Sequence, residues 1–176
     1  MKVVFLDRDG TLIPDPSDDR VDKIEKVELF DDTVQALKLL ADNDFSAVVI
    51  TNQAGIAEGL LTEQEFDTIN KHAESLYAPS GINILKTYMS PHGSHEVNKW
   101  RKPGPGMLMQ AAKDFNLDLS TIYMVGDRPS DVLAGKNAGT KTILVQTARV
   151  PVTEDSGADY TAPMLLDAAK YIVSHS

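Results

Sequence analysis

The chain has 176 residues, 42% of them hydrophobic and 24% charged, with a formal net charge of −9. That is enough apolar side chain for one domain over residues 1–176 with a full core, and too much for a disordered chain. The negative charge repels nucleic acid and anionic membrane surfaces, so a small molecule is the expected partner and a monomer the expected state. The absence of cysteine excludes disulfides, a thiol nucleophile and any thiolate-ligated metal. No apolar run approaches the roughly 18 residues of a membrane span, and the first residues lack the pattern of a secretory signal; a cytoplasmic protein is expected.

Short, nearly continuous apolar runs lie at residues 2–6 (KVVFL), 46–50 (SAVVI), 82–89 (INILKTYM), 121–125 (TIYMV) and 141–145 (KTILV). Such runs suit parallel strands covered on both faces. Helical patterns alternate with them. After the first run, Asp31 or Asp32 is placed to cap a helix with Val34, Leu37 and Leu40 on one stripe. Thr62 and Glu65 have the spacing of a capping box, followed by Phe66, Ile69, Ala73 and Leu76 at helical intervals. A third helix is predicted from about Pro105, with Leu108, Ala111, Ala112 and Phe115 inward, a fourth from Pro129 to near Gly139, and a last over about 164–173. Strand and helix in alternation predict an α/β fold: a doubly wound, Rossmann-like parallel sheet of five to six strands flanked by helices.

In such sheets ligands bind beyond the carboxyl ends of the strands. The polar segments there are DRDGT (7–11), TNQAG (51–55), SPHGSHEVNKWRKPG (90–104) and GDRPSD (126–131). If the strand continues past Leu6, Asp7 and Asp9 point to the same face and repel each other unless a cation intervenes. Carboxylate oxygens favour a hard divalent ion, and Mg²⁺ is the usual choice beside a phosphate. Gly10 permits a sharp turn next to a ligand. Read alone, DRDG is also an ordinary acidic turn. Asp127 and Asp131 form a second acidic pair at a strand end entering a helix, where Asp131 also serves as a first-turn partner of the helix dipole. Thr51 and Asn52 offer a hydroxyl and an amide to phosphoryl oxygens, or simply cap a turn. Arg101 and Lys102 precede Pro103, which holds their backbone out of the helix; Lys102 is placed to neutralise a phosphoryl group, or the pair is a solvated one.

In order, these segments resemble the four motifs of the haloacid dehalogenase-like phosphatases: DRDGT the first, Thr51 the second, Lys102 the third and GDRPSD the fourth. FLDRDGTLI, ITNQAGIAEG, RKPGPGML and YMVGDRPSD are similar to the branch that holds heptose 1,7-bisphosphate phosphatases and the histidinol-phosphate phosphatase domain, which is built without a large cap domain. The resemblance implies Mg²⁺-dependent hydrolysis of a small phosphomonoester through an aspartyl-phosphate. Asp7 would be the nucleophile and Asp9 the proton donor and acceptor. Mg²⁺ would be held by Asp7, the Asp9 carbonyl and Asp127, with Asp131 orienting water or Lys102, and Thr51 and Asn52 gripping phosphoryl oxygens. The heptose enzymes are the nearer match in GIAEG, RKPGPGML and ILVQT, whereas IPDPSDDRVDKIEKVELF is more similar to the histidinol domain.

The chain departs from this branch at one point. Its members typically bind a structural Zn²⁺ through three cysteines and a histidine before the RKP motif, and here that loop keeps His92 and has His95 but no cysteine. Two histidines and Glu96 match no closed zinc site by spacing, so structural Zn²⁺ is not expected and Met89, Pro91 and Trp100 are expected to hold the loop by packing. Specificity is expected from residues 14–28, 54–61 and 90–101, with Arg101, Lys99 and Arg20 as candidates for a second anionic group. A phosphoacceptor receiver domain also places acids at strand ends, but it carries a lone acceptor aspartate after a middle strand, where this chain has Thr51.

Overall fold

A computed structural model describes residues 1–16, 20–96, 98–147 and 156–176. Six strands form one sheet: β1 (Lys2–Leu6), β2 (Phe45–Asn52), β3 (Asn83–Ser90), β4 (Tyr123–Gly126), β5 (Lys141–Val145) and β6 (Tyr160–Ala162). Their order is β3-β2-β1-β4-β5-β6 and every pairing is parallel. The helices are α1 (Thr33–Ala41), α2 (Ala54–Ala57), α3 (Glu63–Tyr77), α4 (Gly106–Phe115), α5 (Pro129–Ala138) and α6 (Leu165–Ser174). This is the doubly wound α/β sheet expected from the alternating runs.

Alternation along β1 explains the three layers. Val4 and Leu6 face one cluster, with Leu37 and Leu40 of α1, Phe66 and Ile69 of α3 and Ile172 of α6. Val3 and Phe5 face the other, with Met107 and Leu108 of α4 and Ala134 of α5. A central strand that buries both faces must be apolar at every position, which is why KVVFL carries no polar residue after Lys2. Each fully buried side chain of this size is worth about 1.5–3 kcal/mol relative to exposure. Residues 53–82, between β2 and β3, contain α2, α3, a 3₁₀ turn (Ala78–Ser80) and their connections. Among the described residues no helix is long and apolar enough to cross a membrane.

Three expectations shift. Asp32 stands at the N-cap position of α1 without capping it; its Oδ2 accepts instead from Leu166 N at 2.7 Å, so the carboxylate caps α6, which packs alongside. The run at 121–125 begins as a 3₁₀ turn, because the Asp118 carboxylate accepts from Ser120 N at 3.0 Å and delays β4 to Tyr123. The sixth strand, only three residues long at the sheet edge, is too short to stand out as an apolar run. The Thr62–Glu65 capping box forms as expected, with Thr62 Oγ1 accepting from Glu65 N and Glu65 Oε2 from Thr62 N.

β1 has β2 on one side and β4 on the other, so the winding direction reverses beside it. The carboxyl ends of β1, β2 and β4 therefore open into one crevice.

Candidate active site

Backbone turns at the end of β1 set the site. Asp7 N still donates to Val125 O of β4 at 2.9 Å. The chain then curls so that Arg8 O accepts from Leu12 N at 2.8 Å and Ile13 N at 3.0 Å. Gly10 makes the curl with φ +84°, and a Cβ there would lie 2.2 Å from an Asp127 carboxylate oxygen. Both the left-handed backbone and the close approach require glycine. The strand itself ends at Leu6, so strand alternation no longer applies to Asp7 and Asp9; both carboxylates line the same cleft, each with its own partners.

Asp7 stays on the sheet side. Its Oδ1 accepts from Arg8 N at 2.7 Å and lies 2.8 Å from Lys102 Nζ. The same ammonium is 2.6 Å from Asp131 Oδ1 and donates to Ile50 O at 2.7 Å. Asp131 sits in the first turn of α5, where its Oδ2 accepts from Arg128 N at 3.0 Å. Gly126 lets that helix close in, since a Cβ there would meet the Asp131 side chain at 2.4 Å. One oxygen from each of Asp7, Asp127 and Asp131 falls in a group no wider than 4.8 Å.

Three buried carboxylates against one ammonium leave an excess of negative charge. Burial, then Asp131, pushes the Asp7 carboxyl up to about 7 in spite of Lys102. Burial, then Asp7 and Asp131, pushes Asp127 up to about 8. Burial works against the Lys102 ammonium, yet Asp131 and Asp7 outweigh it and hold its pKa above the ordinary lysine value. Asp127 is fully buried, and neither of its carboxylate oxygens has a hydrogen-bond partner among the described residues. Among the described residues it pairs with Arg128, whose Nε is 3.7 Å away. A buried carboxylate left so open suits a hard cation with oxygen ligands, and Mg²⁺ fits this donor set.

Asp9 faces a different set of partners. Its carboxylate accepts from Arg8 Nε and Nη2, both at 3.0 Å, and from Gln53 Nε2 at 2.7 Å. Gln53 Nε2 also donates to Thr51 Oγ1 at 2.9 Å, which ties the end of β2 to the β1 turn. Asn52 clasps the Lys102 peptide: its Nδ2 donates to Lys102 O at 3.0 Å and its Oδ1 accepts from Lys102 N at 3.1 Å. The amide expected at phosphoryl oxygens thus holds the lysine in place. Asp7, Asp9, Thr51, Asn52, Gln53, Lys102 and Asp131 line the floor of a cleft of about 760 Å³.

Comparison with known proteins agrees with this geometry. The HAD-hydrolase-like family profile matches residues 99–168, which contain Lys102, Asp127 and Asp131. The D-glycero-beta-D-manno-heptose-1,7-bisphosphate 7-phosphatase of Pasteurella multocida is 38% identical over 97% of this chain and 96% of its own. The same-named protein of Escherichia coli K12 is 37% identical over 96% and 92%. The crystal structure of D,D-heptose 1,7-bisphosphate phosphatase from B. bronchiseptica, complexed with magnesium and phosphate, superposes with a TM-score of 0.89 at 28% identity, covering all of both chains.

The chain belongs to the haloacid dehalogenase-like phosphatases. Trp100 Nε1 donates to Met89 O at 3.0 Å and its ring meets Tyr88 edge to face, which ties the loop before the RKP motif to β3. His92 Nδ1 lies 3.1 Å from Ser90 Oγ, while His95 is exposed on the cleft wall. Arg101 also lines the cleft, with Nη1 donating to His92 O at 3.0 Å. Arg20 pairs with Glu58 across the rim at 2.7 Å. Residues 17–19 and 97, parts of two segments expected to set specificity, lie outside the described residues.

Sequence reasoning about this phosphatase passed over Arg8, Gln53 and the pairing of Arg128 with Asp15. Arg8 stood between the two acids and Gln53 within TNQAG, so both were in view. Neither has a local signal, because each is defined by the partner that the β1 turn brings to it.

Proposed function

We propose that this chain is a Mg²⁺-dependent phosphatase acting on D-glycero-D-manno-heptose 1,7-bisphosphate through an aspartyl-phosphate on Asp7. The observation that carries the reading is the buried Asp7–Lys102–Asp131 chain beside the carboxylate of Asp127, which has no hydrogen-bond partner among the described residues. The names of the relatives support the substrate, and the magnesium and phosphate of the B. bronchiseptica structure support the cofactor.

Both bonds that fix Asp7 fall on Oδ1, which leaves Oδ2 to attack phosphorus. Lys102 is held on three sides and offsets charge on the phosphoryl oxygens without reorganising. Thr51 takes phosphoryl oxygens through its hydroxyl, Asn52 keeps the Lys102 peptide in register for the same purpose, and Asp131 orients the ammonium. Asp9 gives a proton to the leaving alcohol and then takes one from the water that hydrolyses the acyl phosphate. When bound by Asp7, the Asp9 carbonyl and Asp127, Mg²⁺ supplies the positive charge that lets a carboxylate approach a phosphate. Arg101, on the cleft wall, is the candidate contact for the substrate's other phosphate. The whole chain serves as one phosphatase domain, monomeric and cytoplasmic, acting in carbohydrate metabolism on a small phosphorylated metabolite.

Phosphate release across a metabolite panel with Mg²⁺ tests this. Heptose 1,7-bisphosphate should exceed histidinol phosphate and simple hexose phosphates in kcat/KM by about tenfold or more, the discrimination that one or two added polar contacts provide. Preference for histidinol phosphate would overturn the substrate, and stable phosphoprotein without phosphate release would overturn the hydrolase.

A further inference from the structure

We infer that Arg8 and Gln53 are positioning residues for Asp9, and that they select Oδ1 of its carboxylate as the oxygen that handles the proton. The inference rests on the reading of Asp9 as proton donor and acceptor given above.

Arg8 is among the largest fully buried side chains of the described residues, with no exposed surface. A buried guanidinium is tolerated only where it is paired and hydrogen-bonded. Its partner is the adjacent residue, because the turn after Leu6 swings Asp9 back so that the fork of Nε and Nη2 meets both carboxylate oxygens. The other side of the guanidinium lies over the Phe66 ring, 4.9 Å from its centre, which anchors it to α3. Nη1 has no hydrogen-bond partner among the described residues. The arginine is therefore committed to one carboxylate, at the expense of leaving one of its own donors unmade.

Counting acceptor positions shows what this does. Among the described residues, Oδ2 of Asp9 accepts two bonds, from Arg8 Nη2 and Gln53 Nε2, whereas Oδ1 accepts one, from Arg8 Nε. A carboxylate oxygen offers about two lone-pair directions, so Oδ2 is filled and Oδ1 keeps one open. Three donors from two elements also fix the rotamer, which a lone aspartate at the cleft, its side chain 20% exposed, would not hold. With the rotamer fixed, Oδ1 gives its proton to the alcohol oxygen as the P–O bond breaks. Oδ1 then takes a proton from the water whose oxygen bonds to phosphorus as the aspartyl-phosphate is cleaved. Gln53 has a further effect: through Thr51 Oγ1 it couples the orientation of the proton donor to the residue at the end of β2 that faces the phosphoryl group.

The test uses substrates that differ in how much the leaving oxygen needs its proton, with β-glycerol phosphate as the alkyl ester and p-nitrophenyl phosphate as the aryl ester. The quantity read is kcat/KM, which covers the steps up to departure of the alcohol. Arg8→Lys keeps the charge and loses the fork; Gln53→Leu removes one donor at similar size. Each should lower kcat/KM for the alkyl ester by about 30- to 100-fold, part of the 10²–10⁴ that general acid catalysis supplies, while the aryl ester falls less than about fivefold. Equal losses on both esters, or none on either, would overturn the positioning role, since a merely structural defect does not sense the leaving group. If Arg8→Lys does not fold, Gln53→Leu decides by the same ratio. Asp9→Asn on the same two esters separates the two readings. A selective loss there with no selectivity in the other variants sinks only this inference, and the absence of selectivity in Asp9→Asn sinks the assignment of Asp9 itself.

Discussion

The floor and the rim of the cleft are both charged, but their charges are held in different ways. On the floor Lys102 is 2% exposed and bridges Asp7 and Asp131, each on the end of a different core element. On the rim the Arg20 and Glu58 side chains are 43% and 38% exposed and belong to a loop and to the end of a single-turn helix. Buried charges are strongly coupled and punish any unpaired partner, whereas exposed pairs contribute about 0–1 kcal/mol. Chemistry that needs fixed geometry belongs on the floor. Recognition that differs among related phosphatases is tolerated on the rim.

Substitutions that remove floor charges should therefore act on turnover far more than on folding. Asp7→Asn should lower Mg²⁺-dependent turnover by about 10⁴-fold or more, as loss of a nucleophile does elsewhere. Its melting temperature in the absence of metal should hold or rise, because one of three crowded carboxylates is neutralised. Turnover within tenfold of the parent protein would remove Asp7 as nucleophile.

The floor should also answer to pH in a way the rim does not. Burial holds Asp7 up to about 7 and Asp127 up to about 8 in the folded protein, against 3.8 for an ordinary aspartate. In the metal-free fold these two groups bind protons more tightly than in the unfolded chain, so the stability they contribute is fully present in acid and is lost as pH rises from about 4 through about 8. Mg²⁺ displaces those protons, so the rise in melting temperature that it causes should be larger at pH 8.5 than at pH 6. Asp127→Asn should weaken Mg²⁺ binding by more than about 100-fold in calorimetry, exceeding the effect of an outer-shell change. An Mg²⁺ effect independent of pH, or unaltered by Asp127→Asn, would break the contrast.

The smallest effect is expected at the rim. Arg20→Ala should change stability by less than about 1 kcal/mol in denaturant unfolding, with any loss of activity appearing in KM. A large drop in kcat would move Arg20 from the rim to the reacting centre.

Much of this was open to a reader of the chain alone, because it depends on local pattern. An apolar run followed by an acid exposed DRDGT and GDRPSD, whereas Thr51 and Lys102 were legible as site residues only through the resemblance to the four motifs of the haloacid dehalogenase-like phosphatases. The capping box at Thr62 and Glu65 is a matter of three-residue spacing and formed as read. What local pattern could not supply was direction and partnership. Asp9 follows Asp7 by two residues, yet Asp7 meets Lys102 whereas Asp9 meets Arg8 and Gln53, in a turn where the Arg8 carbonyl collects the amides of Leu12 and Ile13. Asp32 caps a helix 134 residues further along the chain. Asn52 lies opposite a peptide 50 residues away. Such contacts leave no periodicity in the sequence, since they arise only when winding of the sheet brings distant strand ends into one crevice. The order of residue types determined the fold and the reaction. Which carboxylate pairs with the lysine, which stays open for a cation and which is held by the buried arginine were decided by the tertiary structure, where burial makes each charge depend on its neighbours.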